Sequence, residues 1–229
     1  MLDEDRLDNF ANRSSSKWRR YPQEILPMHV AEMDYEVAPE IRKVLTDLIS
    51  NSDVGYLGPF PELAPAFQHY AKTTWGWEFD PSRIRFATDV GVAATEIMRV
   101  LTKPGDRVLL NSPVYTNFSF WVKEVGAIPH DVPLINDNNT WRLDLEGIEA
   151  AMASGIKVYM LCSPQNPVGR IHTREELQFI SDAANKHGVV VIADEIHAPL
   201  AYEKFTPYLS IPGSDKNGIL ITSNSKSWN

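Results

Sequence analysis

Short apolar runs and amphipathic stretches follow one another from residue 83 to residue 222, a pattern typical of alternating strands and helices. The apolar runs predict strands at residues 83–87, 107–110, 127–132, 157–161, 189–193 and 219–222. The amphipathic stretches between them predict helices at residues 91–101, 115–125, 145–152 and 173–187. This order indicates an α/β fold with a doubly wound, mostly parallel sheet.

Boundary signals are clearest at two predicted helices. Thr173 and Glu176 form the pattern of a capping box, and Gly188 is placed to end the helix that they begin. Nearer the N-terminus, residues 1–38 have no regular pattern, and Pro39 suits the first turn of a helix. That helix carries apolar residues at helical spacing, namely Ile41, Val44, Leu45, Leu48 and Ile49. A loop at 55–61 and a helix at 62–72 complete the prediction.

The composition and net charge of the chain limit the classes of protein to which it can belong. The 229 residues are 43% hydrophobic, enough for a sizeable core, and the formal net charge of −8 argues against a nucleic-acid partner. We expect the short basic cluster Lys17–Arg20 to be a solvated or interface segment. A single cysteine, Cys162, excludes an intrachain disulfide. The start of the chain lacks the apolar stretch of a signal peptide, and the longest apolar run, near Val189, is too short to span a bilayer, so we expect a soluble cytoplasmic protein.

Three polar residues follow predicted strands near the end of the chain: Asn166, Asp194 and Lys226. Their separations, 28 and 32 residues, each fit one crossover back to the sheet, so one cleft at the carboxyl ends of the strands can collect them. Considered singly, Asn166 is an ordinary turn residue, Asp194 a candidate helix cap and Lys226 a surface lysine. Together they suit pyridoxal phosphate, since that cofactor needs an amine for its aldehyde and a carboxylate for its pyridine nitrogen.

Several segments resemble one known family. They are Ser16-Lys17-Trp18, Val30–Tyr35, Gly55-Tyr56, Pro104–Asp106, Pro113–Tyr115, Asn166–Arg170, Asp194–His197 and Ser225-Lys226. With these motifs the chain resembles the fold-type I pyridoxal-phosphate enzymes of the aminotransferase class I/II superfamily. Within it, the chain most resembles the cystathionine β-lyases of the MalY/PatB type, also called cysteine-S-conjugate β-lyases.

The resemblance implies roles around the cofactor ring. Lys226 would bond to the cofactor aldehyde and later move protons. Asp194 would pair with the pyridine nitrogen, and Asn166 would donate to the ring hydroxyl. Tyr115 would stack on one face of the ring and Ile196 would cover the other, although a tyrosine there is also ordinary core packing.

The resemblance also implies how the cofactor phosphate is held. The backbone N–H groups at a helix start would bind it, with hydroxyl groups of two serines; the residues are Gly91, Val92, Ala93, Ser223 and Ser225. Tyr56 resembles the tyrosine that such enzymes reach across a dimer interface to the partner's phosphate. We therefore expect a homodimer with shared active sites, in which Tyr56 joins Lys226 and Asp194 in catalysis.

The resemblance also implies that His197 is one of the cofactor-binding residues, and this residue bears on the choice of reaction. It stands three residues after Asp194, where many aminotransferases of the superfamily have tyrosine, and the sequence Asp-Glu-Ile-His resembles the lyases. We expect α,β-elimination from an L-cysteine conjugate, giving a thiol, pyruvate and ammonia. An aminotransferase and a non-catalytic cofactor-binding regulator are the alternatives. The remaining histidines lack ligand spacing, so we expect no metal site; they are His29, His69, His130, His172 and His187.

The chain departs from the lyase pattern in two places. Met28-His29 stands where the lyases have Leu-Trp, near the expected substrate mouth. The chain also stops at Asn229, whereas the family continues to the arginines for the phosphate and the substrate carboxylate. We therefore expect residues 1–50 to belong to a small domain and dimer interface, and residues 51–229 to be an incomplete cofactor-binding domain. We expect the chain alone to bind cofactor weakly and to be inactive.

Overall fold

The computed structural model describes residues 12–56, 58–138 and 140–228. The chain divides into two units, one formed by Met1–Gly58 with Asn224–Asn229 and the other by Pro59–Ser223. Within the described ranges, no helix combines the length and the apolar character that crossing a bilayer requires.

The first unit is stabilised by a buried lysine. Its helices are α1 (Ser16–Arg19), α2 (Pro39–Ser50) and a 3-10 turn (Asn224–Lys226). Lys17 is almost fully buried, and its Nζ donates to the carbonyl of Glu32 at 2.9 Å and to Asp34 Oδ2 at 2.6 Å. The sequence predicts a solvated or interface segment here, and Lys17 is not solvated; these two acceptors replace water around its buried ammonium group.

The second unit is built on a five-stranded parallel sheet. Its strands are β1 (Arg107–Leu110), β2 (Ile128–Asp131), β5 (Val158–Cys162), β6 (Val190–Asp194) and β7 (Gly218–Ile221), and their order across the sheet is β2-β1-β5-β6-β7. Every neighbouring pair is parallel, so all five carboxyl ends lie at one edge. A separate antiparallel hairpin joins β3 (Ile135–Asp137) to β4 (Thr140–Arg142).

Helices cover both faces of this sheet. The second unit contains α3 (Leu63–Trp75), α4 (Val90–Leu101), α5 (Asn117–Glu124), α6 (Leu145–Ala153) and α7 (Arg174–His187). Helices α4 and α5 pack on one apolar cluster and helices α6 and α7 on the other. Adjacent residues of a strand point to opposite faces, so β5 sends Tyr159 and Leu161 to the α6/α7 side and Met160 to the other. The predicted doubly wound α/β fold is thus confirmed.

Local signals set the bounds of the best predicted helix. The Thr173 hydroxyl accepts from the Glu176 N–H at 3.2 Å, and the Glu176 carboxylate accepts from the Thr173 N–H at 2.8 Å, which confirms the capping box. Gly188 ends α7 with a φ of 66°, a left-handed conformation that glycine adopts readily.

One predicted strand is wrong. Residues 83–87 form no strand; a 3-10 turn covers Pro81–Arg83 and the following residues have no ladder partner among the described residues. The Asp80 carboxylate accepts from the N–H of Ser82 at 2.9 Å and fixes this turn. The β3–β4 hairpin was not predicted, because strands of three residues carry too little pattern to recognise. Further 3-10 turns lie at Ala198–Leu200, Tyr208–Ser210 and Ser214–Lys216.

Candidate active site

The candidate site lies at the edge where the parallel strands end. Cys162 and Asp194 are the last residues of β5 and β6, and they are partners in the ladder. Asp194 is buried, with 5% of its surface exposed, and its Oδ1 accepts a hydrogen bond from the N–H of Ile196 at 3.1 Å. A carboxylate in such a place can bind a cationic group that enters from the strand ends.

A tight turn after β5 carries Asn166. The N–H of Gln165 donates to the carbonyl of Arg170 at 2.8 Å, and the N–H of Gly169 donates to the carbonyl of Gln165 at 2.7 Å. The Asn166 side chain reaches His197, with 3.4 Å between Nδ2 and Nε2. Asn166 and His197 are thus brought together near the end of β6.

The Cys162 thiol lies under this turn. Its Sγ accepts from the N–H of Asn166 at 3.3 Å and lies 3.4 Å from the carbonyl oxygen of Pro164. Burial, with Asp194 close by, raises the pKa of the Cys162 thiol to about 12. Cys162 is therefore a neutral packing residue that supports the turn, because a nucleophilic cysteine needs a lowered pKa.

Successive residues of a strand point to opposite faces of the sheet, so the neighbours of Asp194 show on which face it lies. Cys162 and Ile192 belong to the apolar cluster under α4 and α5, whereas Ala193 belongs to the cluster under α6 and α7. Asp194 therefore lies on the α4/α5 face and Glu195 on the opposite one. Helix α4 runs back along the sheet into β1, so its first turn lies near the same edge as Asp194.

The first turn of α4 is already partly occupied by hydrogen bonds of the chain itself. The Asp89 carboxylate accepts from the N–H of Val92 at 2.9 Å, and the Asp89 carbonyl accepts from the N–H of Ala93 at 2.9 Å. Of the three N–H groups expected to meet the phosphate, two are therefore engaged. Gly91 fits against Trp121, whose Nε1 lies only 2.9 Å from the place of an added Cβ, so a side chain here would clash.

Two apolar or aromatic residues expected to flank the cofactor ring lie on loops at this edge. Tyr115 is partly exposed, and its hydroxyl accepts from Asn117 Nδ2 at 2.9 Å. Its ring meets Trp121 edge-on, with 6.1 Å between the ring centres. Ile196 packs against the apolar cluster of the α4/α5 face. Tyr115 thus leaves 43% of its surface exposed at this edge.

The remaining predicted residues divide between the two units. Ser223 ends the second unit, whereas Tyr56, Ser225 and Lys226 belong to the first. Lys226 is the last residue of the 3-10 turn that follows β7, and its side chain is partly buried. Tyr56 is fully exposed.

Glu195 is a buried carboxyl group that sequence reasoning missed. It is 1% exposed, and its Oε1 accepts from the N–H of Tyr208 at 2.6 Å. Burial, with Asp194 as a like-charged neighbour, raises the pKa of Glu195 well above its ordinary value. No local signal distinguishes this residue, because only the packing of the segment around Tyr208 onto β6 removes it from water.

The contacts of Arg170 do not indicate a role in binding the cofactor phosphate. Its guanidinium pairs with the Glu176 carboxylate at 2.9 Å and 3.0 Å and lies 3.0 Å from His172 Nδ1. Burial lowers the pKa of His172 to about 4, so the ring is neutral and its Nε2 donates to the carbonyl of Cys162 at 3.0 Å. Arg170 therefore stabilises the start of α7 and the turn after β5.

The donor set fits pyridoxal phosphate better than a metal ion. A buried carboxylate, a carboxamide with a histidine beside it, and a partly exposed tyrosine suit a flat pyridine ring with polar edges. In the described ranges, no group of three or more His, Cys, Asp or Glu side chains is arranged to hold a metal ion.

A family model decides the classification. The model for aminotransferase class I and II matches residues 23–229. The chain belongs to the aminotransferase class I and II family. Its sheet, its two helical layers and its turn after β5 are therefore those of a pyridoxal-phosphate enzyme fold.

Relatives within this family include carbon–sulfur lyases. A provisionally named cystathionine β-lyase of Mycobacterium tuberculosis is 39% identical over 96% of this chain and 55% of its own length. Cystathionine β-lyase PatB of Bacillus subtilis is 30% identical over 90% of this chain and 56% of its own length. The structure of cystalysin from Treponema denticola, which contains pyridoxal 5'-phosphate, matches with a TM-score of 0.89 and 28% identity, covering 95% of this chain and 58% of that chain. The chain thus spans about half the length of the relatives it matches.

Proposed function

We propose that the whole protein is a pyridoxal-phosphate-dependent carbon–sulfur β-lyase acting on an L-cysteine conjugate such as cystathionine. The observation that carries the proposal is the buried Asp194 carboxylate beside the Asn166–His197 pair at the carboxyl edge of the sheet. Family membership supports the cofactor, and relatives named cystathionine β-lyase support the reaction.

When bound, the cofactor supplies an aldehyde for the substrate amine and a protonated pyridine ring that accepts electrons from the substrate Cα. Asp194 would keep the proton on the pyridine nitrogen, because its carboxylate is buried and favours a cationic partner. Asn166 would donate from Nδ2 to the ring hydroxyl. Tyr115 and Ile196 would lie on the two ring faces, and Ser223, Ser225 and the start of α4 would meet the phosphate.

Lys226 is the proposed acid–base group. Its Nζ would take the proton from the substrate Cα. The resulting Lys226 ammonium would give that proton to the thiolate as the Cβ–S bond breaks, and water would hydrolyse the remaining enamine to pyruvate and ammonia. An aminotransferase would use the same lysine but return the proton to the cofactor.

Covalent labelling tests the cofactor part of the proposal. We expect borohydride reduction of the protein with pyridoxal phosphate to place a pyridoxyl group on Lys226, identified by peptide mass spectrometry. Lys226→Ala should remove the label and the visible absorption of the bound cofactor. The control variant is Lys216→Ala, which changes a lysine of another 3-10 turn. It should still be labelled on Lys226. A label spread evenly over several lysines would contradict the proposal.

Product analysis tests the reaction. We expect the whole protein to release pyruvate from L-cystathionine without any 2-oxo acid. Amino-group exchange that requires a 2-oxo acid would instead identify an aminotransferase. Cofactor labelling with neither reaction would favour a regulator.

We also propose that the whole protein is a cytoplasmic homodimer with shared active sites. Tyr56 supports this proposal, since its side chain is fully exposed and it resembles the tyrosine that family members reach across to the partner's phosphate. The same reasoning assigns residues 1–50 to a small domain and interface, and residues 51–229 to the cofactor-binding domain.

A further inference from the structure

Gln165 is a buried polar residue that lies between two residues assigned to the cofactor ring. It is 1% exposed, and its Nε2 donates to the carbonyl of Pro113 at 2.9 Å and to the carbonyl of Asn111 at 3.2 Å. Its main-chain N–H is also engaged, with the carbonyl of Arg170. Both ends of this residue are therefore fixed.

These hydrogen bonds join two loops at the carboxyl edge of the sheet. One loop follows β1 and leads through Pro113 to Tyr115, and the other follows β5 and carries Asn166. The two strands are neighbours in the sheet. Gln165 thus connects the residue that would stack on the cofactor ring to the residue that would donate to its hydroxyl.

Side-chain hydrogen bonds of its own residues fix the earlier part of the loop after β1, and Tyr115 at its end contacts Asn117 and Trp121 of α5. Asn111 Nδ2 donates to the carbonyl of Val132 at 2.9 Å, and Asn111 Oδ1 accepts from the Tyr159 hydroxyl at 2.5 Å. Ser112 donates twice to the Asp131 carboxylate, at 2.6 Å and 2.8 Å. The bond from Gln165 to Pro113 extends this support to within two residues of Tyr115.

Removing the two donor bonds would leave the buried Asn111 carbonyl and the partly buried Pro113 carbonyl without this partner, which favours a shifted loop. A stacking ring and a hydrogen-bond donor must meet one flat cofactor in perpendicular directions. A displacement of about 1 Å between them weakens both interactions.

We propose that Gln165 is a positioning residue that sets the Tyr115 ring relative to Asn166. The proposal rests on the proposed cofactor site. It assigns no contact between Gln165 and the cofactor; the Nε2 donor would act on cofactor binding through the loop that carries Tyr115.

The test compares cofactor affinity in matched variants of the purified whole protein. Gln165→Met keeps the length of the side chain and removes the donor. We expect it to raise the Kd for pyridoxal phosphate by about 5- to 30-fold, the effect of one or two lost hydrogen bonds. The control is Gln178→Met, since Gln178 also donates to a backbone carbonyl, that of Pro212, but on α7. It should leave the Kd within about twofold.

A double-mutant cycle separates positioning from a general effect on structure. In a Tyr115→Ala background, Gln165→Met should change the Kd by less than about twofold, because the ring it positions is gone. Gln165→His, which keeps an N–H at a similar reach, should restore most of the affinity. If Gln165→Met does not fold, Gln165→Asn replaces it in the double-mutant cycle, because the Asn side chain is one methylene too short to make the same hydrogen bonds.

Each outcome decides a different claim. An equal effect of the Gln165 variant with and without the Tyr115 ring would overturn the positioning role, while the cofactor site would stand. A wild-type protein that binds no pyridoxal phosphate would overturn the proposed function and this proposal with it.

Discussion

Glu195 shows how burial changes the chemistry of one carboxyl group. Its raised pKa means that the folded state keeps the proton to a higher pH than the unfolded state does. The folded state then binds more protons over that range, so the free energy of unfolding falls as pH rises above the ordinary carboxyl pKa. Glu195→Gln removes the titration and retains an acceptor for the Tyr208 N–H.

We expect urea unfolding of Glu195→Gln to lose this decline in stability as pH rises above the ordinary carboxyl pKa. The matched control is Glu149→Gln. The hydrogen bond and ion pair with Lys186 lower the pKa of Glu149, so this carboxyl group makes the free energy of unfolding rise with pH, opposite to the effect of Glu195. A Glu195→Gln variant that is as pH-sensitive as the wild type would show that Glu195 is not the group responsible.

Asp194 is the residue on which the proposed chemistry depends. An amide holds a pyridine proton far less well than a carboxylate, so Asp194→Asn should bind some cofactor but lower kcat by about 100-fold or more. Steady-state pyruvate release measures the effect. Asp182→Asn, on the exposed side of α7, is the control and should retain activity. Near wild-type turnover in Asp194→Asn would show that Asp194 is only structural.

At the scale of elements, α7 is stabilised at its start by local hydrogen bonds. The Thr173 hydroxyl accepts from the Glu176 N–H, and loss of such a cap costs about 1 kcal/mol. For a unit of this size, that change should lower the Tm of Thr173→Ala by about 2–4 °C. Thr46→Ala, in the exposed middle of α2, should leave the Tm unchanged or raise it. Equal melting of both variants would contradict a role for the cap.

At the scale of the whole molecule, shared active sites predict complementation. Tyr56→Phe and Lys226→Ala homodimers should each have low activity. A heterodimer of the two variants would contain one site with both native residues, so mixing them should restore up to about one quarter of wild-type activity, the share of intact sites in random pairs. Pyruvate release after subunit exchange measures this. No recovery, with exchange confirmed by mass spectrometry, would count against a shared site.

The sequence by itself determined the elements whose signals are local. The capping box at Thr173 and the left-handed Gly188 fix the bounds of α7, because those signals act within one turn. Strands β1, β5 and β6 are apolar on both faces, which is why continuous apolar runs predict them. Family motifs likewise predict Asn166, Asp194 and His197 as site residues.

Only the tertiary structure decided matters that depend on distant partners. Residues 83–87 have a strand-like pattern but no ladder partner among the described residues, so they remain irregular. Lys17 and Glu195 look like surface charges, and burial by remote segments makes them internal. In the sequence, Gln165 has no feature that sets it apart from an ordinary turn residue. Its hydrogen bonds to the loop after β1 exist only because the fold places β1 beside β5. Hydrogen bonds and burial across the sheet have no local signal, since they arise only when segments far apart in sequence meet.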